Sequence, residues 1–124
     1  MQRIEREAAR RKDLENLLDR LRPGIAIVEG LHDVKAFAAL GVKAVNLDAL
    51  RLKREELPVD KPVFIMMDGD RGGKAKERKA IDTIAELYPG LQASTYEKKQ
   101  LLQLLNITTI EEVSKASRVL RKER

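Results

Sequence analysis

Apolar positions fall into two kinds of run along this chain. From Ile4 to Leu21 they recur at helical spacing, with Ile4, Ala8, Leu14, Leu17, Leu18 and Leu21 on one stripe. The stripe predicts a helix over Met1 to Leu21. Glu7 and Arg11 support it at i, i+4, and Arg22-Pro23-Gly24 stops it. The half up to Lys12 is nearly all charged and small residues, which suits either a solvated helix or one that touches a partner. Two other runs are unbroken. Ile25-Ala26-Ile27-Val28 and Val63-Phe64-Ile65-Met66-Met67 are rich in β-formers, as strands buried on both faces of a parallel sheet are.

Between and after these runs the pattern alternates. A helix opens near Leu31, with Val34, Phe37 and Ala38 on one face, and ends at Gly41. Val42 to Leu47 reads as a short strand. Asp48 is placed to cap a short helix over Ala49 to Leu57, and Pro58 to Pro62 is a loop. Lys74 to Tyr88 reads as a helix with Ile81, Ile84, Ala85 and Tyr88 inward, stopped by Pro89-Gly90. Leu91 to Thr95 is a fourth strand. Ser94-x-x-Glu97 predicts a capping box for a helix through Leu105, and Thr109-x-x-Glu112 one for a last helix to about Leu120. Strands alternating with helices predict an α/β fold of about four parallel strands, right-handed crossovers and helices on both faces. The tail from Lys115 is basic and is expected to fray.

Composition narrows the class. The 124 residues suit one domain. There is no cysteine, hence neither a disulfide framework nor thiol chemistry. No apolar run is long enough to span a membrane and the N-terminus does not resemble a signal sequence, so the expected location is cytoplasmic. The net charge of +5 favours a polyanionic partner, although such a balance also occurs in proteins that bind nothing anionic.

The chemistry concentrates where the strands end. Asp68-Gly69-Asp70 follows the second apolar run directly, and Arg71-Gly72-Gly73 then turns the chain. Ligands of open parallel sheets bind at the carboxyl ends of strands. Two carboxylates there, beside bare glycine backbone, suit a hard cation bound together with phosphate oxygens; an ordinary Asp-Gly turn is the plainer alternative. The first run ends similarly, at Glu29-Gly30-Leu31-His32-Asp33. If the two strands are parallel neighbours, Glu29, Asp68 and Asp70 converge, and their mutual repulsion calls for a divalent cation.

Glu29-Gly30-x-x-Asp33 and Asp68-x-Asp70-x-x-Gly73, each at a strand end and in this order, resemble the Toprim domain. That metal-binding catalytic module is shared by topoisomerases, bacterial-type primases, OLD-type nucleases, recombination proteins and some ribosomal-RNA maturases. The resemblance covers roughly Gly24 to Tyr96. Asp68-Gly69-Asp70-Arg71-Gly72-Gly73 is most similar to the primase version, and Gly72 stands where topoisomerases usually carry a further glutamate. The short chain looks like the small stand-alone Toprim proteins of archaea and bacteria. The resemblance implies a compact Rossmann-like core over residues 24–96. Before it stands an N-terminal helix (1–23) and after it come C-terminal helices with a basic tail (97–124), all in one domain.

Asp68 and Asp70 are then candidate ligands for Mg²⁺, with Mn²⁺ as a substitute. Glu29 is a further ligand or the general acid/base, the second being the role the family implies. Asp33 is either a ligand or a first-turn residue that favours the positive helix end. Gly30 and Gly73 let backbone approach phosphate. Arg71, Lys74, Lys76, Arg78 and Lys79 either hold the phosphate backbone or are solvated helix residues. His32 is incidental or touches substrate. Tyr88 and Tyr96 are not candidate nucleophiles. Two Phe and two Tyr leave no base-stacking platform, so nucleic acid would be held through its phosphates. Two functions fit. One is a Mg²⁺-dependent nuclease or nucleotidyl-transfer protein acting on RNA or DNA. The other is a non-catalytic nucleic-acid-binding or scaffold module in a larger complex.

Overall fold

The structure, a computed structural model, describes residues 2–121. In chain order the elements are α1 (Arg3–Leu21), β1 (Ile25–Val28), α2 (Leu31–Ala38), β2 (Lys43–Asn46), α3 (Leu47–Arg51), β3 (Val63–Ile65), α4 (Arg71–Leu87), β4 (Ala93–Ser94), α5 (Tyr96–Leu105), a 3-10 helix (Ile110–Ser114) and α6 (Lys115–Arg121). The four strands form one sheet in the order β2-β1-β3-β4, and every pairing is parallel. The fold is thus the compact, Rossmann-like α/β arrangement that the alternating pattern predicts.

The two unbroken apolar runs lie side by side at the centre, with Ile27 opposite Ile65. Alternation splits them between two cores. Ala26, Val28, Phe64 and Met66 join α1, α2, α5, the 3-10 helix and α6 on one face. Ile25, Ile27, Val63, Ile65 and Met67 join α3, α4 and Leu57 on the other. The leucines of α1 (Leu14, Leu17, Leu18 and Leu21) are all buried, while the half before them is mostly exposed. Gly24 admits the chain into β1 because a Cβ there would lie 2.5 Å from the Pro62 carbonyl oxygen.

Several elements depart from their sequence reading. The cap of α3 is Asn46, whose Oδ1 accepts from the Ala49 N–H at 2.7 Å, and not Asp48; the helix ends at Arg51. In α2 Ala38 is exposed and Phe37 carries the burial. In α4, Ile81 and Ala85 are exposed and the inward residues are Gly73, Ala80 and Ile84. Ser94 donates to Glu97 and its Oγ accepts from the Tyr96 N–H at 3.3 Å, so it meets the first turn of α5 without the reciprocal capping box, and Thr95 makes no side-chain cap. Thr109 likewise donates to Glu112 at 2.7 Å, and a 3-10 turn, not a capped α-helix, follows. The tail is helical to Arg121; the expected fraying of residues 122–124 lies outside the described residues. Among the described residues no helix is long and apolar enough to cross a membrane.

Candidate functional site

Parallel neighbours end together. Pairing of Ile27 with Ile65 brings Glu29 and the Met67-Asp68 step to the same edge of the sheet. Glu29 is exposed there and pairs with the ammonium of Lys76, one turn and a half into α4. Asp33 stands in the first turn of α2 and accepts from the Gly30 N–H at 3.3 Å. Asp70 is the cap of α4: its Oδ1 accepts from the Gly73 N–H at 2.7 Å. The Asp-Gly-Asp stretch is therefore both a strand exit and a helix entrance, and α4 begins at Arg71, three residues earlier than its charge pattern suggests.

Gly73 is buried, and its lack of a side chain serves packing inside the protein. A Cβ there would lie 1.9 Å from the Asp68 carbonyl oxygen, so only glycine lets α4 start against the end of β3. Gly30 differs: open space surrounds it and its φ of −142° is ordinary extended backbone.

The connection from α5 into the 3-10 helix clamps the loop from the far side. The Ile110 N–H donates to Asp68 Oδ1 at 2.7 Å, and the Gly69 N–H donates to the Thr108 carbonyl at 2.7 Å. Leu102 closes over Gly69, where a Cβ would come within 2.9 Å of its Cδ1. This segment also delivers Glu111, a carboxylate that the sequence motifs do not include.

The electrostatics register the convergence. Burial pushes the Asp33 carboxyl above the ordinary aspartate range; the Gly30 N–H pulls it down, and the charges of Asp68, Glu29 and Glu111 push it up again. The Lys76 ammonium is raised, first by its hydrogen bond to Glu29 and also by the charges of Glu29, Asp68 and Asp70. Lys76 is thus the cation that this edge now holds. Arg71, Lys74 and Arg78 lie exposed along α4, without a side-chain partner among the described residues, and Lys79 is exposed beside them. Tyr88 is structural: its hydroxyl accepts from the Leu57 N–H at 2.9 Å.

One charged pair lies deeper. Lys98 Nζ, on α5, stands 2.8 Å from Glu77 Oε1, on α4, with the two side chains 6% and 19% exposed. Glu77 Oε1 has no hydrogen-bond partner beyond this contact. The pair joins two helices that pack on opposite faces of the sheet and flank the Asp68–Asp70 loop.

The donor set fits a hard divalent cation by its chemistry. Carboxylate oxygens from Glu29, Asp33, Asp68 and Asp70 share one edge, and Mg²⁺ needs only one or two of them besides water. Asp68 and Asp70 each commit Oδ1 to a backbone N–H, and Glu29 turns toward Lys76. Accordingly, among the described residues no three His, Cys, Asp or Glu side chains stand grouped as a ready ligand cage.

No family model matches the chain. The UPF0292 protein TK1411 of Thermococcus kodakarensis is 30% identical over 103 residues, which cover 78% of this chain and 77% of that protein. The chain belongs to the UPF0292 family. The fold of this UPF0292 member is also found in a solved protein structure from Aquifex aeolicus. That likeness has a TM-score of 0.63 at 22% identity and covers 82% of this chain and 94% of the other. At that identity it is a likeness of fold.

Proposed function

We propose that this protein is a Toprim-like, Mg²⁺-dependent enzyme acting on nucleic-acid phosphodiesters, by cleavage or nucleotidyl transfer. One observation carries the reading: Glu29 and Asp68 lie just beyond the ends of two adjacent parallel strands, with Asp70 and Asp33 at the helix starts beside them. Strand ends of this kind are where parallel sheets place their ligands. Asp68, Asp70 and Glu29 would hold the ion, with Asp33 behind them. When bound, the ion polarises a phosphate oxygen and offsets charge on the phosphodiester.

The chain's own groups do the rest. Glu29 is exposed and able to accept or deliver a proton at a phosphodiester oxygen. Lys76 orients Glu29 through their ion pair and would compete with a metal ion for that carboxylate. Arg71, Lys74 and Arg78 present cations along α4, unpartnered among the described residues, for phosphate contacts.

A second reading keeps the same surface without catalysis: a nucleic-acid-binding or scaffold module inside a larger complex. The observation favouring it is that Asp68, Asp70 and Glu29 each have a protein partner already. Labelled RNA and DNA incubated with Mg²⁺ or Mn²⁺ separate the two. An enzyme cleaves, and Glu29→Gln loses roughly 10²–10⁴-fold in rate while still binding the strand. A scaffold leaves every strand intact, and wild type and Glu29→Gln bind alike.

A further inference from the structure

The acidic edge continues into a furrow that no sequence motif marks. Its walls are α2 on one side and the 3-10 helix with α6 on the other, and its volume is about 580 Å³. His32 and Lys35 line it from α2; Glu111, Lys115 and Arg118 line it from the opposite wall. Glu111 ties the furrow to the site, because the N–H of its neighbour Ile110 donates to Asp68 Oδ1 at 2.7 Å.

The charge of the furrow is uneven. Lys115 is spent on Glu112, at 3.2 Å. Lys35 and Arg118 are exposed, and among the described residues neither has an ion-pair or hydrogen-bond partner for its side chain. Two free cations therefore face each other across the furrow, against the single unpaired carboxylate of Glu111 at its acidic end. The larger groove between α1 and α5, of about 720 Å³, is different. There Arg10 donates to the Leu104 carbonyl and Arg20 to Gln100, and Asp13 and Asp19 line the same groove, Asp19 paired with Arg22 at 2.9 Å. Its cations are spent and it lies away from the carboxylates.

We propose that the furrow between α2 and the 3-10 helix–α6 segment holds the phosphodiester backbone of a single nucleic-acid strand and leads it to the carboxylate edge. This rests on the nucleic-acid reading given above. The chemistry is that of phosphate oxygens meeting Lys35 and Arg118 on opposite walls, with His32 beside them. No Phe, Tyr or Trp lines the furrow, so the contacts are chiefly to the phosphate backbone. The furrow also gives the protein a second cationic wall, so that the strand crosses the acidic edge between Arg71, Lys74 and Arg78 of α4 and Lys35 and Arg118.

The test is fluorescence anisotropy of labelled oligothymidylate and oligouridylate over a salt series, with chelator present to remove divalent ions. The variant is Lys35→Glu with Arg118→Glu. Its control is Lys43→Glu with Lys61→Glu, two exposed lysines at the opposite edge of the sheet. Wild type should bind, with log affinity falling linearly against log salt. Loss of two phosphate contacts should weaken binding at least about tenfold and flatten the slope by about 1.4. The control should bind like wild type, and the strand with the larger loss, DNA or RNA, is the occupant. If wild type binds while the furrow variant binds equally well, or the control loses as much, the furrow assignment is overturned and the nucleic-acid reading stands. If wild type binds neither strand at low salt, that reading falls and the furrow with it.

Discussion

Asp68 accepts a hydrogen bond at 2.7 Å from the backbone N–H of Ile110, 42 residues further along the chain. The contact makes one aspartate serve two ends. It fixes the exit of β3 against the start of the 3-10 helix, and so brings Glu111 and the furrow to the carboxylates. A backbone N–H left unpaired there is costly, whereas an isosteric acceptor keeps the bond.

Asp68→Ala should therefore destabilise the fold by about 1–3 kcal/mol, since the Ile110 donor loses its partner. Asp68→Asn keeps an oxygen in the Oδ1 position and should unfold near the wild-type midpoint. Urea denaturation of the two variants checks this; equal midpoints for Ala and Asn would mean that the clamp contributes nothing.

The helical stripe of α1 and both central strands are legible in the sequence because periodicity and length report burial directly. Adjacency of Glu29 to Asp68 follows once the strands are parallel neighbours. The clamp is not legible, because Thr108 and Ile110 contribute backbone groups that every residue carries. Glu111 is hidden with it, since Thr109-x-x-Glu112 draws attention to capping alone. The inward face of α4 is misread for a different reason. Glu77 points inside, and a charged residue is counted as exposed until Lys98 is seen to meet it. That shifts the buried stripe to Ala80 and Ile84 and leaves Ile81 out.

Lys98→Met should cost about 3 kcal/mol, because it leaves the Glu77 carboxylate buried without a counter-charge. The double variant Lys98→Met, Glu77→Leu removes both charges and should recover most of that loss. Thermal and urea unfolding of the pair of variants measures the difference. A double variant as unstable as Lys98→Met alone would assign the cost to packing.

Asp33 yields a pH dependence with a definite sign. Its carboxyl is raised in the folded state, chiefly by burial and then by its acidic neighbours. The folded protein therefore holds that proton more tightly than the unfolded chain does. The favourable contribution is full below the ordinary aspartate range and is lost as pH rises through the raised value. Asp33→Asn keeps an acceptor for the Gly30 N–H and removes the titration. Without metal its melting temperature should exceed that of wild type at neutral pH, with the gap closing in acid. A gap that persists unchanged into acid would show that ionisation of Asp33 is not its cause.

The central claim is that the edge formed by Glu29, Asp68 and Asp70 binds a divalent cation, and Mn²⁺ titration followed by electron paramagnetic resonance tests it most directly. Wild type should show saturable binding that Mg²⁺ displaces. Asp68→Asn with Asp70→Asn preserves both backbone hydrogen bonds and should abolish that binding in a folded protein. Lys76→Met removes the resident cation and should tighten Mn²⁺ binding, since a positive charge near Glu29, Asp68 and Asp70 competes with the ion. Saturable Mn²⁺ binding that is the same in wild type and in the Asn double variant would contradict the claim.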